Sequence, residues 1–340
     1  MFNIIDYAKY YKDTSLDEVK WNILDNLICA ILVYLPINTF NDTKNIKELN
    51  IKSDIKSRSI IRPKAIEILD IIKDSKRYEN MCITNFTNIR SNEVQFGACT
   101  FKINNEKIIS FKGTDSSMIG WLENFRLSYE YPTYTQNLAI NYLKENITSS
   151  DKSVYVVGHS KGGNLAMAST MEQDTSRFNK IKRVYNFDGP GFKLDEYESD
   201  KYKKLKEKLT NILPTDSIVG TLLFNDDYNV IVSNKKGVYE HYPTSWSVFG
   251  QYFINGKLSS FSNTFHKKSI SELKNIDKDE LKEVIETSFK SFEKNYSSDL
   301  KFNFNDFRNF YKNMKNVDPK IKKYIDDILT SLSRSIENNN

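Results

Sequence analysis

Glycine is scarce in this chain of 340 residues: there are 12 glycines, and all of them lie within residues 97–256. Glycine permits tight turns and positive φ angles, so its distribution predicts alternating strands, loops and helices in the middle of the chain and helices at both ends. Gly158, Gly162 and Gly163 fall within six positions around Ser160. We therefore expect an unusual backbone geometry at this serine.

Cysteine is rare as well, and its spacing excludes several classes of site. Cys29, Cys82 and Cys99 are odd in number and match neither a metal-binding nor a redox spacing, so we expect reduced core thiols and no metal or other cofactor. The longest apolar run, residues 27–35, is too short to span a bilayer. The N-terminus lacks the basic and apolar segments of a secretory signal, so a cytoplasmic location is expected.

A large excess of one charge sign is also missing. The formal net charge is +5, but 49 basic residues stand against 44 acidic ones, interleaved along the chain and mostly lysine rather than arginine. Arginine is the residue that reads bases and phosphates, so this pattern argues against a nucleic-acid partner. A hydrophobic content of 39% is sufficient for a globular core. The sequence leaves the oligomeric state open.

What the chain does contain is a central α/β pattern. Residues 94–101 and 107–113 are predicted to form a β-hairpin, and later strands alternate with helices. These later strands are nearly continuous in apolar residues, which predicts a mainly parallel sheet covered by helices. We expect an α/β core over residues 91–257, with a helical N-terminal part over 1–90 and a helical C-terminal extension over 258–340.

The glycine cluster forms a G-x-S-x-G motif from Gly158 to Gly162, placed after an apolar strand and before a helix. This is the context of a nucleophile elbow, in which the serine occupies a strained turn and its hydroxyl is exposed at the end of the sheet. A serine hydroxyl becomes a good nucleophile only when a base takes its proton. Ser160 is therefore the candidate nucleophile.

The chain has three histidines from which that base must come. The side chain of His159 is expected to point away from the serine hydroxyl, in a packing or hydrogen-bonding role. His266 lies outside the strand region. His241 follows the last apolar strand, where the order serine, acid, histidine of α/β-hydrolases places the base.

Two aspartates between the serine and this histidine follow predicted strands, so either could orient the imidazole. Asp188 follows the strand after the elbow, and Asp216 follows the next one. We favour Asp216, because its loop lies one strand nearer to the strand that precedes His241. Asp188 would then line the wall of the pocket.

A tetrahedral intermediate also needs N–H donors for its oxyanion. One is the backbone N–H after the nucleophile, which belongs to Lys161. The second is expected from the loop after an earlier strand, where Thr114 offers its backbone N–H and its hydroxyl.

Five segments in this order resemble the Mbeg-like family, a branch of the α/β-hydrolases that is similar to the class 3, fungal-type lipases. The segments are ISFKGTDSSMIGWLENF, VYVVGHSKGGNLA, VYNFDGPGF, PTDSIVG and EHYPTSW. The resemblance implies a lipase-like α/β-hydrolase fold. It also implies an oxyanion donor at Thr114, a nucleophile at Ser160, an acid at Asp216 and a base at His241.

The same resemblance implies a lid after the oxyanion strand, formed by Met118, Ile119 and Trp121. Two positions depart from the lipase pattern. Lys112 replaces the usual arginine, and Lys161 replaces the usual leucine after the serine. A charged residue at the elbow argues against a purely apolar entrance.

These residues predict a serine hydrolase that cleaves carboxylic esters, of small molecules or of lipids, through an acyl-enzyme on Ser160. The same triad would also suit a thioesterase, an amidase or an acyltransferase. A different alternative is an interaction protein that keeps the fold without catalysis and binds a partner or a membrane surface through its helical extensions. No transmembrane segment is expected.

Overall fold

A computed structural model describes residues 1–51, 59–91, 93–115, 117–295, 304–312 and 317–337. Parts of the predicted C-terminal extension lie outside the described residues, namely 296–303, 313–316 and 338–340.

The helices and strands alternate through the middle of the chain. The helices are α1 (Ile4–Tyr11), α2 (Ile23–Leu32), α3 (Ile61–Ile72), α4 (Met118–Arg126), α5 (Tyr134–Asn146), α6 (Lys161–Met171), α7 (Thr175–Lys180), α8 (Leu194–Tyr197), α9 (Asp200–Lys206), α10 (Ser260–Leu273), α11 (Lys278–Asn295), α12 (Phe304–Lys312) and α13 (Pro319–Glu337). The strands are β1 (Phe40–Asn45), β2 (Cys82–Arg90), β3 (Gln95–Ile103), β4 (Glu106–Phe111), β5 (Val154–His159), β6 (Ile181–Phe187), β7 (Leu209–Pro214), β8 (Tyr228–Ile231), β9 (Val248–Phe249) and β10 (Tyr252–Phe253).

The first eight strands form one sheet, in which each strand pairs with the next one along the chain. β1 to β4 are antiparallel neighbours, and the predicted hairpin is confirmed as β3 and β4. β4 to β8 are all parallel, so their carboxyl ends meet at one edge of the sheet. Functional side chains are expected at such an edge.

The first two strands correct the prediction that residues 1–90 are helical. β1 is largely polar, at the edge of the sheet, and offers no apolar alternation to read. β2 buries Ile83 and Phe86 between polar residues, and its register shifts against both neighbours. Irregular pairing breaks the period of two on which strand prediction depends.

Both faces of the sheet are covered, as alternate residues of β5 illustrate. Tyr155 and Val157 pack into a core with the N-terminal helices α1 to α3. Val154 and Val156 pack on the opposite face with residues of α5, α6 and α9. A mainly parallel sheet between two helical layers, with a strand–serine–helix junction at its carboxyl edge, is the α/β-hydrolase fold.

The C-terminal helices form a third apolar cluster, separate from the two layers of the sheet. Leu281, Ile285 and Phe289 of α11 pack there with Tyr324 and Ile325 of α13. Helix α4 shares this cluster, and α13 also packs against the 3₁₀ turn Gly237–His241. The extension is thus attached to the carboxyl edge of the sheet.

Within the ranges that the structure describes, no helix has both the length and the apolar character needed to cross a membrane.

Candidate active site

Ser160 lies between β5 and α6 with φ of 59° and ψ of −134°. Positive φ is rare for residues with a side chain and marks a strained turn. A Cβ atom on Gly158 would lie 2.0 Å from the Gly162 carbonyl oxygen, and a Cβ atom on Gly162 would lie 2.1 Å from the Phe111 carbonyl oxygen. Only glycine fits at these two positions, so the predicted elbow geometry is confirmed.

The imidazole of His241 lies beside a buried carboxylate. Its Nδ1 is 2.6 Å from Oδ2 of Asp188, and since a carboxylate can only accept, Nδ1 carries the proton and donates. The other oxygen of Asp188 accepts the backbone N–H of Gly220 at 3.1 Å and the hydroxyl of Ser217. These bonds fix the carboxylate, and they leave Nε2 of His241 as the basic nitrogen.

The expected pairing of Asp216 with His241 is therefore wrong in the structure, and Asp188 is not merely a pocket wall. Asp216 instead donates its backbone N–H to Oε2 of Glu240 at 2.9 Å. Both aspartates follow parallel strands that end at the same edge, so strand order alone does not decide between them. The loop that carries Glu240 and His241 sets the imidazole at the end of β6.

A second histidine fixes the backbone of that loop. Nε2 of His159 lies 2.7 Å from the carbonyl oxygen of His241, so this nitrogen donates. Nδ1 of His159 lies 3.4 Å from the hydroxyl of Tyr34 and accepts from it. Complete burial, with a smaller contribution from His241, holds the pKa of His159 well below its usual value. His159 is therefore neutral and connects Tyr34 to the His241 backbone by hydrogen bonds, in agreement with its predicted hydrogen-bonding role.

The serine and the Asp–His pair are joined through the backbone as well. The N–H of Ser160 donates to the carbonyl oxygen of Phe187 at 3.0 Å, and Phe187 directly precedes Asp188. Because His159 holds His241 on one side and Phe187 holds Ser160 on the other, the elbow, the acid and the imidazole belong to one connected group.

The two predicted oxyanion donors flank the elbow. The N–H of Lys161 is the first in α6, where helices leave N–H groups without an intrahelical partner. Gly113 donates its own N–H to the Tyr34 hydroxyl at 2.9 Å, and a Cβ atom on it would lie 3.0 Å from Cβ of Ser160. The hydroxyl of Thr114 donates to Oδ1 of Asn124 at 3.1 Å, so the backbone N–H is the oxyanion donor that Thr114 can offer.

The two lysines that depart from the lipase pattern are buried rather than exposed at the entrance. Nζ of Lys161 donates to the carbonyl oxygen and to Oε1 of Gln95, at 3.0 and 3.2 Å. Nζ of Lys112 donates to Oδ1 of Asn88 at 3.4 Å. Burial lowers the pKa of each lysine to about 8. Contrary to the expectation from the sequence, the Lys161 side chain therefore does not make the entrance polar.

A pocket with about 580 Å³ of space, part of it open to solvent, adjoins Ser160, and none of the twelve described residues that line it carries a charge. The lining consists of Trp121, Asn124, Phe125, Ser128, Ser160, Pro190, Val219, Leu222, Leu223, Tyr324, Ile328 and Leu332. One wall comes from α4, a second from the loop after β7, and a third from α13. The C-terminal extension thus forms part of the candidate site.

Of the predicted lid residues, Trp121 lines the cavity, and Met118 packs on the C-terminal cluster. Ile119 is half-buried. Their helix is attached to α11 by Arg126, whose Nε and Nη2 donate to the two carboxylate oxygens of Glu286 at 2.7 and 2.9 Å. Movement of α4 as a lid would have to break this bidentate ion pair, so lid opening stays a prediction.

Sequence reasoning missed two residues that support the site. Tyr34 follows α2, far from any motif, and only the fold brings its hydroxyl to Gly113 and His159. Gln95 opens β3, where a single buried amide gives no periodic signal.

A family model described as Mbeg1-like matches residues 72–290, more than half of the chain. A solved chain described as "Crystal structure of M37 lipase" is similar at 16% sequence identity and a TM-score of 0.37, over 58% of this chain and 67% of that chain. A search of curated proteins gives no match. The family range contains Thr114, Ser160, Asp188, Asp216 and His241.

Proposed function

Since the chain belongs to the Mbeg1-like family, we propose that it is a serine hydrolase that cleaves carboxylic esters with an apolar acyl group. The observation that carries this proposal is the hydrogen bond between His241 and buried Asp188, beside a serine in a strained elbow. Asp188 takes the role of the acid here in place of Asp216, because it is the carboxylate that contacts the imidazole.

In the proposed reaction, Oγ of Ser160 attacks the ester carbonyl carbon while Nε2 of His241 takes the hydroxyl proton. The carbonyl oxygen becomes an oxyanion that accepts from the N–H groups of Lys161 and Thr114. Collapse of this intermediate breaks the ester C–O bond, and the imidazolium returns its proton to the departing alcohol. Water then attacks the acyl-enzyme by the same steps and releases the acid.

The acyl group is inferred from the cavity. Its lining is mostly aliphatic and aromatic, and its polar members are an asparagine and two serines, one of which is Ser160. An uncharged acyl chain buries its surface there favourably, whereas a charged acyl group would lose hydration without gaining a counter-charge.

The first test is labelling of the full chain with a fluorophosphonate probe, together with turnover of nitrophenyl esters. We expect covalent labelling of Ser160, no labelling of Ser160→Ala, and loss of several orders of magnitude in kcat for His241→Ala. Failure of the wild-type protein both to react with the probe and to hydrolyse any ester of a graded series would overturn the proposal.

A matched pair of variants tests the acid. Asp188→Asn should lower kcat by about 10⁴-fold, because an asparagine amide favours the wrong imidazole tautomer. Asp216→Asn keeps its backbone bond to Glu240 and should change kcat by less than about threefold. Thermal unfolding of both variants controls for misfolding, and a larger loss in Asp216→Asn would return the role to Asp216.

A further inference from the structure

We infer that the Lys161 side chain positions the oxyanion hole, acting through Gln95 on the peptide between Gly113 and Thr114. This inference rests on the proposed function, because it assigns a role within the same site. Lys161 would then contribute twice: its backbone N–H as a donor, and its side chain as a positioning group.

The first link is the contact between the lysine and Gln95. Both side chains are buried, with 1% and 2% of their residue surfaces exposed. The ammonium donates to the main-chain carbonyl and to the side-chain Oε1 of Gln95. A buried ammonium is costly unless it is hydrogen-bonded, so these acceptors account for its place in the interior.

The second link runs from Gln95 to the oxyanion loop. Nε2 of Gln95 donates to the carbonyl oxygen of Gly113 at 3.3 Å. That carbonyl and the N–H of Thr114 belong to one planar trans peptide and point in opposite directions. A bond that holds the carbonyl toward Gln95 therefore turns the Thr114 N–H toward the opposite side.

The chemistry of the amide explains why a cation is needed. The oxygen and nitrogen of a glutamine amide are nearly equal in size, so only their hydrogen-bond partners decide which one faces a given neighbour. An ammonium can only donate, so it selects Oε1 and leaves Nε2 to face Gly113. An apolar residue of the same length would fill the space without selecting an orientation.

The position of this amine among charged groups gives it a titration near neutrality. Burial lowers the pKa of Lys161 to about 8, while Glu123 on α4 and Asp115 in the oxyanion loop act in the opposite direction. Lys112 lies near enough for Lys161 to help lower its pKa. As the pH rises through about 8, Lys161 loses its charge and its bonds to Gln95 lose their charge assistance.

Lys161→Met is the principal variant, since it leaves the backbone N–H of residue 161 in place. We expect kcat for nitrophenyl esters to fall by about 10- to 100-fold, less than the loss of a whole oxyanion donor, with KM changed by less than about threefold. The wild-type kcat should decline on the alkaline side with an apparent pKa near 8, and this limb should be absent in Lys161→Met.

Lys112→Met is the matched control. It removes a second buried lysine of similarly lowered pKa, but one that bonds Asn88 rather than Gln95. We expect its kcat to stay within about threefold of wild type, with the alkaline limb retained.

Gln95→Glu separates the two links and keeps the test valid if Lys161→Met does not fold. The carboxylate still accepts from Lys161 but has no N–H for the Gly113 carbonyl, so kcat should fall as in Lys161→Met. A kcat within threefold of wild type in folded Gln95→Glu or Lys161→Met, or an unchanged alkaline limb in Lys161→Met, overturns the inference while the wild-type activity still stands. Absence of both probe labelling and ester turnover in the wild type instead defeats the proposed function itself.

Discussion

The helices at the two ends of the chain are attached to the sheet in different ways. The N-terminal helices share one continuous core with one face of β5. Just after α2, Tyr34 places its hydroxyl against Gly113 and His159, next to the elbow. The C-terminal helices form a separate cluster with α4, and α13 lines the cavity at Ser160. The first set supports the backbone of the site, and the second shapes the space that a substrate would occupy.

Similar helical segments can therefore serve stability or substrate selectivity, depending on where they contact the sheet. Damage to the N-terminal set should unfold the protein without changing substrate preference. Changes in the α13 residues that line the cavity should instead alter substrate preference.

The largest effect is expected at the buried ion pair of the N-terminal part. Nε and Nη2 of Arg77 donate to Asp25 at 2.9 and 2.6 Å, and both side chains are fully buried. Arg77→Met leaves the Asp25 carboxylate without its counter-charge, which should lower the free energy of unfolding by about 3–5 kcal/mol.

Urea denaturation measures this loss. Lys64→Met is the control, because Lys64 and Glu67 form an exposed pair at 2.8 Å whose removal should cost less than about 0.5 kcal/mol. Equal losses in the two variants would contradict the supporting role given to the N-terminal helices.

A smaller effect is expected at Glu240, in the turn where α13 meets the histidine loop. Burial, together with repulsion from Asp216 and Asp188, raises the pKa of Glu240 to about 7. The folded state then holds a proton that the unfolded state releases near its ordinary pKa of about 4.3. Stability should therefore fall as the pH rises from about 4.5 to 7.

Glu240→Gln removes the charge and keeps an acceptor for the Asp216 N–H. At pH 8 it should be more stable than wild type, by on the order of 2 kcal/mol, and the difference should vanish near pH 4. Glu286→Gln is a control of opposite sign. Burial raises the pKa of Glu286, but bonds from Arg126 and Tyr129 outweigh this effect and hold the pKa below its usual value. Parallel stability curves for Glu240→Gln and wild type, measured by urea unfolding, would refute the prediction.

The smallest effect is a change in preference at Ile328, which lines the cavity from α13. Ile328→Ala enlarges the cavity and should raise the ratio of kcat/KM for long-chain over short-chain esters by about three- to tenfold. Ile321 lies in the same helix and the same cluster but is not a lining residue. Ile321→Ala should lower stability and leave the ratio unchanged, so a shift of equal size in both variants would argue against α13 as a selective wall.

Much of the central fold could be predicted from sequence, because its signals are local. Gly158 and Gly162 exclude other residues by direct contact with backbone atoms, and such contacts leave a motif. Outside the central fold, the apolar stripe of α11, with Leu281, Ile285 and Phe289, likewise marks a buried face. The edge strand β1 and its neighbour β2 were missed because register shifts and polar residues hide their alternation.

The partner of His241 could not be predicted, because it depends on contacts between distant segments. Asp188 and Asp216 both follow parallel strands. The bond from His159 to the His241 carbonyl helps to fix the loop that carries His241 beside Asp188. The burial of Lys161 was missed for a related reason, since its acceptor Gln95 lies on a strand that enters the sheet 66 residues earlier.

The strands lie in the sheet in the same order as along the chain, which matters for folding during synthesis. Each strand emerging during synthesis finds its neighbour already present, so the sheet can grow outward in a single direction without waiting for later segments. Helix α13, which contributes one wall of the cavity, follows all eight strands along the chain and is therefore translated after the sheet. A nascent chain that has completed its sheet but not yet α13 would expose the apolar lining of the cavity to solvent.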